Sequence, residues 1–170
     1  IDTDEEAAIA KARDALSGFS DRFNAAYVGG LQAKLGIGEA REGDLELAQD
    51  LLERMAANTA DYTLTFRGLC DAAESKDADA GVRALFDDPA AYDEWATRWR
   101  ARLAEEARPA GERAAAMRRV NPAFIPRNHR VEAAIVAAVE RQDYAPFEEL
   151  LAVLANPYED QPEHAAYAEA

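Results

Sequence analysis

The sequence has little cysteine, little histidine and a shortage of positive charge. Cys70 has no second cysteine for an internal disulfide, which is typical of proteins kept in a reducing compartment. His129 and His164 show no ligand spacing, and structural zinc sites take several Cys or His ligands, so we expect no zinc site. Lys and Arg number 19 against 33 Asp and Glu, which gives a net charge of −14. Such a charge disfavours binding to nucleic acid and to anionic membrane surfaces.

Long apolar runs and phosphate-binding glycine loops are also missing from the sequence. No apolar run approaches the roughly 20 residues that a membrane helix needs, and no basic-then-apolar leader is present. None of the nine glycines follows a strand pattern, so we find neither a P-loop nor a kinase Gly-rich loop. His-Arg-Asp and Asp-Phe-Gly motifs are absent, and nothing points to a Ser/His/Asp or Cys/His centre.

What the sequence does contain is a helical period along most of its length. One apolar stripe recurs every four residues, at Phe19, Phe23, Tyr27, Leu31 and Leu35. Gly36 and Gly38 suit the end of that helix, because glycine accepts the left-handed cap. Gly29-Gly30 interrupts the stripe, and we interpret the pair as a place where two helices cross closely.

Several polar residues mark the starts of further helices. Thr3 and Glu6 match a capping box, Asp44 is positioned to cap a helix, and Asp88-Pro89 reads as a cap followed by proline in the first turn. "DYTLTFRGLC" is ambiguous because "YTLTF" alternates like a strand, but no partner strand is visible and we favour a helix. We therefore predict an all-α fold, an irregular bundle of about eight or nine helices forming a single region over residues 1–170. At this length the chain is long enough to bury a sizeable core.

An aromatic stripe lies in the segment that follows Pro89. It consists of Tyr92, Trp95, Trp99 and Leu103. We interpret it as a core or domain-packing face. Base stacking is the competing interpretation, but the neighbouring residues are not consistently basic.

A basic, proline-containing segment joins two helical patterns, and we call residues 118–130 the elbow. Five arginines occur in or just before it with no Asp or Glu among them: Arg113, Arg118, Arg119, Arg127 and Arg130. Pro122 and Pro126 restrict the residues before them, so we expect Asn121 and Ile125 to be extended. Asn128 is placed to cap the next helix.

The arginines of the elbow allow two interpretations. In the first, Arg127 and Asn128 anchor an interface or contact a phosphate. In the second, Arg118, Arg119 and Arg127 pair with carboxylates of neighbouring helices, while the asparagines satisfy turn and cap groups. The sequence leaves both open.

The two helices after the elbow each show an apolar face. We predict that the first buries Val131, Ile135, Ala138 and Val139. We predict that the second, with Pro146 in its first turn, buries Phe147, Leu150, Leu151 and Leu154. "NPYEDQPEH" then reads as an irregular, exposed tail.

Five stretches in order along the chain carry a family resemblance. "NPAFIPRNHRVEAAI" resembles the Asn-Pro-x-x-(Ile/Val)-x-Arg-Asn signature of the selenoprotein O (SelO/YdiU) family, which places Asn121, Pro122, Arg127 and Asn128 at signature positions. "RFNAAYVGGLQAKLGI" and "DYTLTFRGL" are similar to its Phe/Tyr-rich helix ending in Lys-Leu-Gly and its Asp-Tyr-Thr-x-x-Phe-Arg segment. "YDEWATRWRARL" and "LLAVLANPYED" are similar to its Trp-rich helix and its Leu-x-Asn-Pro-(Phe/Tyr) stretch. The resemblance covers residues 19–160.

The resemblance implies a protein-kinase-like fold, of a kind long taken for a pseudokinase, that binds ATP in an inverted orientation with Mg or Mn. It implies transfer of AMP to Ser, Thr or Tyr hydroxyls of other proteins. The family's nucleotide loop, ion-pairing lysine and metal-binding Asn and Asp lie N-terminal to the matched region. We therefore expect no catalytic, cofactor-binding or metal-binding residue in this chain. Many members also have a Cys-x-x-Cys/Sec-like redox element further on, a role that we do not assign to Cys70.

We accordingly expect a fragment, the C-terminal helical region of a SelO-type protein adenylyltransferase, itself structural and non-catalytic. Its expected partners are the kinase-like lobe upstream of Ile1 and, for the whole protein, the protein substrates. The family, the lack of a leader and the single cysteine suggest the bacterial cytoplasm. The alternative is a standalone α-helical adaptor that binds a protein partner through the face formed by Tyr92, Trp95 and Trp99, with Trp95 and Trp99 as the interface residues.

Overall fold

The computed structural model describes residues 5–169, and this part of the chain is built from helices without any strand. The nine α-helices are α1 (Glu5–Ser17), α2 (Phe19–Lys34), α3 (Asp44–Ala57), α4 (Tyr62–Glu74), α5 (Asp79–Arg83), α6 (Pro89–Leu103), α7 (Ala110–Arg118), α8 (Asn128–Arg141) and α9 (Ala145–Ala155). Two 3₁₀ helices lie at Lys76–Ala78 and Pro162–Tyr167. The all-α prediction is confirmed, including the helix over the ambiguous segment that became α4. The capping box that includes Thr3 lies outside the described residues.

The main core lies between α3, α4, α6, α7 and the C-terminal end of α2. Tyr92, Trp95 and Trp99 of α6 are 0% exposed at its centre. The indole N–H of Trp95 donates to the carbonyl of Leu47 at 2.9 Å, and that of Trp99 donates to the carbonyl of Leu35 at 2.9 Å. Both indoles are thus fully satisfied inside the protein. The stripe is a core face, as we favoured, and a partner could not reach it, so the adaptor alternative through these residues is wrong for this structure.

The helix ends follow the sequence signals in most places. Gly36 has φ +76°, and the N–H groups of Gly36 and Ile37 donate to carbonyls of the last turn of α2, which is a Schellman ending. Asp88 caps α6 by accepting a hydrogen bond from the Ala90 N–H. The prediction for Asp44 is wrong: it is the first residue of α3, and its carboxylate is drawn into an ion pair instead of a cap.

That ion pair belongs to a buried network that joins the loop before α3 to the end of α6. Arg102 donates to Asp44 at 2.6 Å and to Glu106 at 2.8 Å, and Glu106 also accepts from the Gly38 N–H. Burial opposes ionisation of Asp44, but hydrogen bonds from Arg102 and the Arg41 N–H outweigh it and hold the pKa of Asp44 below its usual value. The pKa of Glu106 is lowered in the same way: burial opposes its ionisation, but the hydrogen bonds from Arg102 and from the N–H groups of Gly38 and Glu39 together outweigh it.

Helices α1 and α2 form an arm that stands away from this core. From residue 6 to residue 30 no side chain is buried, although Leu31 and Leu35 at the end of α2 are. The predicted close crossing at Gly29-Gly30 is wrong within the described residues, because a Cβ at either position would meet nothing within 4 Å. The N-terminal half of the apolar stripe is therefore left exposed.

A second, smaller core lies where the elbow meets α9 and the last 3₁₀ helix, and it contains Ala123, Phe124 and Val153. Helices α8 and α9, which are joined by residues 142–144, pack against each other and form a hairpin beside it. The predicted buried faces of this hairpin are partly wrong: Ala134 and Ala137 are the buried residues of α8, and Leu150 and Val153 those of α9. The other predicted face residues remain at least partly exposed, among them Val131, Ile135, Ala138, Val139, Phe147, Leu151 and Leu154.

The tail after α9 is irregular and mostly exposed over residues 156–161, as we predicted, but its last part is not irregular. It folds back as the 3₁₀ helix Pro162–Tyr167. Tyr167 packs on the small core, and the side chain of Gln161 donates to the carbonyls of Val153 and Asn156.

Candidate functional site

The elbow is the candidate site, and Asn121 is its most buried polar residue, at 0% exposure. Its amide nitrogen donates to the carbonyl of Lys34 at 2.9 Å and lies 3.6 Å from the sulfur of Cys70. Its amide oxygen accepts a hydrogen bond from the Lys34 ammonium at 3.1 Å, and the same ammonium donates to the carbonyl of Val120. Asn121 thus ties the C-terminal end of α2 to α4 and to the elbow.

Arg67 of α4 binds the other side of the elbow. Its guanidinium donates to the carbonyls of Arg118, Asn121 and Tyr158 at 3.0 to 3.3 Å. A further N–H donates to the Asp160 carboxylate at 2.6 Å. One guanidinium therefore satisfies three backbone carbonyls and one carboxylate, which uses the planar array of donors that only arginine has.

Arg127 fixes the end of the elbow to the start of α4. Two of its nitrogens bind the two oxygens of Asp61 at 2.5 and 3.0 Å, and one also donates to the carbonyl of Ala168 at 2.8 Å. Asp61 is at the same time the N-cap of α4, accepting from the Leu64 N–H at 2.7 Å. The hydrogen bond from Arg127 and that from the Leu64 N–H outweigh burial and hold the pKa of Asp61 below its usual value.

The remaining arginines of the basic run have different partners. Arg118 pairs with Asp71 and Glu74 of α4, and Arg130 donates to the carbonyl of Ala166. Arg113 is buried and donates to the carbonyls of Leu103 and Arg108. For Arg119 the structure records no ion pair within the described residues.

The internal-pairing interpretation is therefore confirmed for Arg118 and Arg127 and wrong for Arg119. The nitrogens of Arg127 that would reach a phosphate are already held by Asp61 and a backbone carbonyl.

Burial is the main cause of the pKa shifts of the two ionisable groups beside Asn121, Cys70 and Lys34. It raises the pKa of the Cys70 thiol, which stays protonated and inaccessible inside the core. It lowers the pKa of the Lys34 ammonium, which lies 5.6 and 5.3 Å from the ring centres of Tyr62 and Phe66. The hydrogen bonds of the Lys34 ammonium therefore join the end of α2 to the elbow.

The signature residues do not all lie together. The packed part of the elbow contains Asn121, Pro122 and Arg127. There the N–H groups of Ala123 and Phe124 donate to the Pro157 carbonyl at 2.8 and 3.1 Å. Asn128 is exposed and is the first residue of α8, with no capping hydrogen bond, so its predicted cap is wrong. Trp95 and Trp99 belong to the main core.

Four residues of the site were not predicted from the sequence to lie at the elbow. They are Lys34, Asp61, Arg67 and Cys70, which meet the elbow from 51 to 87 residues away in the chain. A usable signal was present, because the first three lie in the stretches "RFNAAYVGGLQAKLGI" and "DYTLTFRGL". The stretch "LLAVLANPYED" supplies Pro157, Tyr158 and Asp160. Four of the five stretches that carry the family resemblance therefore meet at the elbow, whereas the Trp-rich stretch lies in the main core.

Between residues 5 and 169 no group of three or more His, Cys, Asp or Glu side chains is arranged to hold a metal ion. No helix in the same part of the chain has both the length and the apolar character needed to cross a membrane.

Comparison with known proteins agrees with the family resemblance of the sequence stretches. The model of the family described as protein adenylyltransferase SelO matches residues 6–155. The chain is 63% identical over 166 residues to the protein nucleotidyltransferase YdiU of Bradyrhizobium sp. strain BTAi1, covering 98% of this chain and 34% of that protein. It is 59% identical over 169 residues to the protein of the same name from Rhodopseudomonas palustris strain BisB18, with 99% and 34% covered. The chain thus spans about a third of the length of these relatives.

Proposed function

This chain belongs to the SelO family of protein adenylyltransferases, and we propose that it serves as a non-catalytic helical region of such an enzyme. In this proposal the whole protein is kinase-like and transfers AMP from ATP to Ser, Thr or Tyr hydroxyls of bacterial cytoplasmic proteins. ATP and its Mg or Mn ion are held upstream of Ile1. Two observations support this division: between residues 5 and 169 no group of three or more His, Cys, Asp or Glu side chains is arranged to hold a metal ion, and Arg118 and Arg127 of the elbow are paired with carboxylates of α4 or of its N-cap.

The observation that carries the proposal is the exposed aromatic face of the arm. Phe19, Phe23 and Tyr27 stack in sequence along α2, with successive ring centres 6.1 Å apart, and Phe23 is 56% exposed. An exposed apolar patch of this kind marks either an interaction surface or a severed domain interface. About two thirds of each relative lies outside the match, so the rest of the protein is the partner that we assign to this face.

The small residues of α2 support the same assignment. Helical geometry places Ala26 and Gly30 on the side of α2 that also carries Phe23. A Cβ added at Gly30 would meet nothing within 4 Å, so a neighbouring element can approach the backbone closely there.

The first experiment compares this chain with the longer protein that contains it. Mg-ATP binding is measured by calorimetry, and AMP transfer is followed with labelled ATP on a protein substrate mixture. We expect binding and transfer only with the longer protein. Binding of Mg-ATP by the 170 residues alone would overturn the proposed division of labour.

The docking face is tested separately with Phe23→Asp. In the longer protein we expect this change to lower the free energy of unfolding by about 3 kcal/mol, the usual cost of losing a buried aromatic contact. In this chain alone the change should stay within about 0.5 kcal/mol, because Phe23 is on the surface. Ile135→Asp is the matched control, since Ile135 is similarly exposed on another face. Equal effects of Phe23→Asp in the two proteins would show that the arm is not the docking face.

A further inference from the structure

The α8–α9 hairpin carries a second apolar surface, which is separate from the arm. A groove of about 420 Å³ runs between the two helices, and its lining is almost entirely apolar. The lining residues are Val131, Ala134, Ile135, Ala138, Tyr144, Phe147 and Leu150. We call it the hairpin groove.

The edges of the hairpin groove are as apolar as its floor. Val139 is 76% exposed and Leu151 is 60% exposed, while Ile135, Tyr144 and Phe147 are each more than half exposed. Five large side chains facing solvent around one groove exceed the scattered exposure that is normal for a protein surface. An apolar groove between two helices is the kind of surface that receives the apolar face of an amphipathic helix.

The charges around the groove indicate what kind of helix would fit. The hairpin from Asn128 to Ala155 carries five carboxylates and two arginines. Glu132 lies two turns from Val139 on the same side of α8, and Glu148 lies one turn from Tyr144 on α9. Neither of these carboxylates has a recorded partner within residues 5–169, whereas Arg130 is already bound to the Ala166 carbonyl.

We propose that the hairpin groove binds an amphipathic helix of a separate protein, with an apolar face flanked by Lys or Arg. The apolar face would cover the groove, and the flanking cations would pair with Glu132 and Glu148. A second copy of this chain fits less well, because two hairpins face to face would bring like-charged edges together. This proposal does not depend on the one for the arm, which concerns α2 and the rest of the same protein.

The test uses two labelled helical peptides of about four turns, with leucines on one face and either lysines or glutamates on both flanks. Binding to this chain and to the longer protein is followed by fluorescence anisotropy. We expect both proteins to prefer the lysine peptide by about fivefold, the size of two exposed ion pairs. Val139→Asp with Phe147→Asp should weaken binding at least about tenfold, because both anchors are lost.

Charge-reversal variants separate a specific groove from general attraction to an acidic protein. Glu132→Lys with Glu148→Lys should reverse the preference in favour of the glutamate peptide. Glu46→Lys with Glu53→Lys makes the same change in net charge on exposed positions of α3 and should leave the preference unchanged.

Three results would overturn the proposal. The first is equal binding of the two peptides or binding of neither. The second is peptide binding by this chain but not by the longer protein, which would mean that the rest of the polypeptide covers the groove. The third is a dimer mass in analytical ultracentrifugation that falls to the monomer mass in the Val139→Asp variant. That result would mean that a second copy of this chain occupies the groove.

Discussion

Replacing Asn121 by alanine tests the idea that the elbow is held by one buried amide. The change removes a donor to the Lys34 carbonyl and an acceptor for the Lys34 ammonium. It also leaves a small cavity beside Cys70, from which the amide nitrogen is 3.6 Å away. Since Asn121 is 0% exposed, water cannot replace these contacts without a rearrangement of the core.

The expected magnitude follows from those contacts. A neutral hydrogen bond contributes about 1 kcal/mol net and one to a charged group about 1.5 to 3 kcal/mol. With the cavity added, Asn121→Ala should lower the free energy of unfolding by about 3 kcal/mol. At a urea dependence of about 2 kcal/mol per molar, the unfolding midpoint would fall by about 1.5 M.

The assay is urea unfolding followed by circular dichroism, with Asn128→Ala as the matched control. Both asparagines occupy signature positions in the same segment, but Asn128 is exposed and its side chain makes no recorded hydrogen bond within the described chain. The control should therefore stay within about 0.5 kcal/mol of the unchanged protein. If Asn121→Ala were equally mild, or if the two variants cost the same, the buried-amide argument would be refuted.

Two further predictions concern acid stability and the glycines of α2. Asp44 and Glu106 have pKa values below their usual range, so the stability they contribute is present above about pH 4 and is lost as the pH falls through their folded-state values. Urea midpoints between pH 7 and pH 3 should show this loss, and Arg102→Met should make it smaller. Gly36→Ala should cost at least about 1 kcal/mol because φ is +76° and the new Cβ would lie 2.7 Å from a methionine sulfur. Gly30→Ala, inside a helix and facing open space, should instead stabilise this chain by about 0.5 to 1 kcal/mol in the same unfolding assay.

Helix positions and the main core could be predicted where the sequence carries one clear period. In α6 the aromatic residues occur on one face only, and that face is the centre of the core. In α8 the segment "VEAAIVAAV" has Ala, Val or Ile at every position but one, so its period does not select a face. There the packing against the elbow and α9 decides which side is buried. Ala134 and Ala137 are buried, whereas the larger Ile135 and Val139 remain exposed.

The candidate site was harder to predict because its contacts join distant parts of the chain. Pro122 and Pro126 mark the elbow, but nothing in their spacing identifies Arg67 as the residue that binds three of the surrounding carbonyls. The cap prediction failed at Asn128 for a related reason. Arg127, the residue before it, occupies the N-cap position in an extended conformation, and its side chain is held by Asp61.

An acidic protein can keep a basic elbow because its carboxylates are placed to meet the arginines from other helices. Asp61 is the clearest case, since one carboxylate starts α4 and also holds Arg127 at the entrance to α8. At the other end of the elbow, Asn121 is bonded to Lys34 at the last turn of α2. The arm and the α8–α9 hairpin therefore connect to the same short segment from opposite ends. In the described structure the elbow is the direct link between the surface that we assign to the rest of the protein and the groove that we assign to a separate helix.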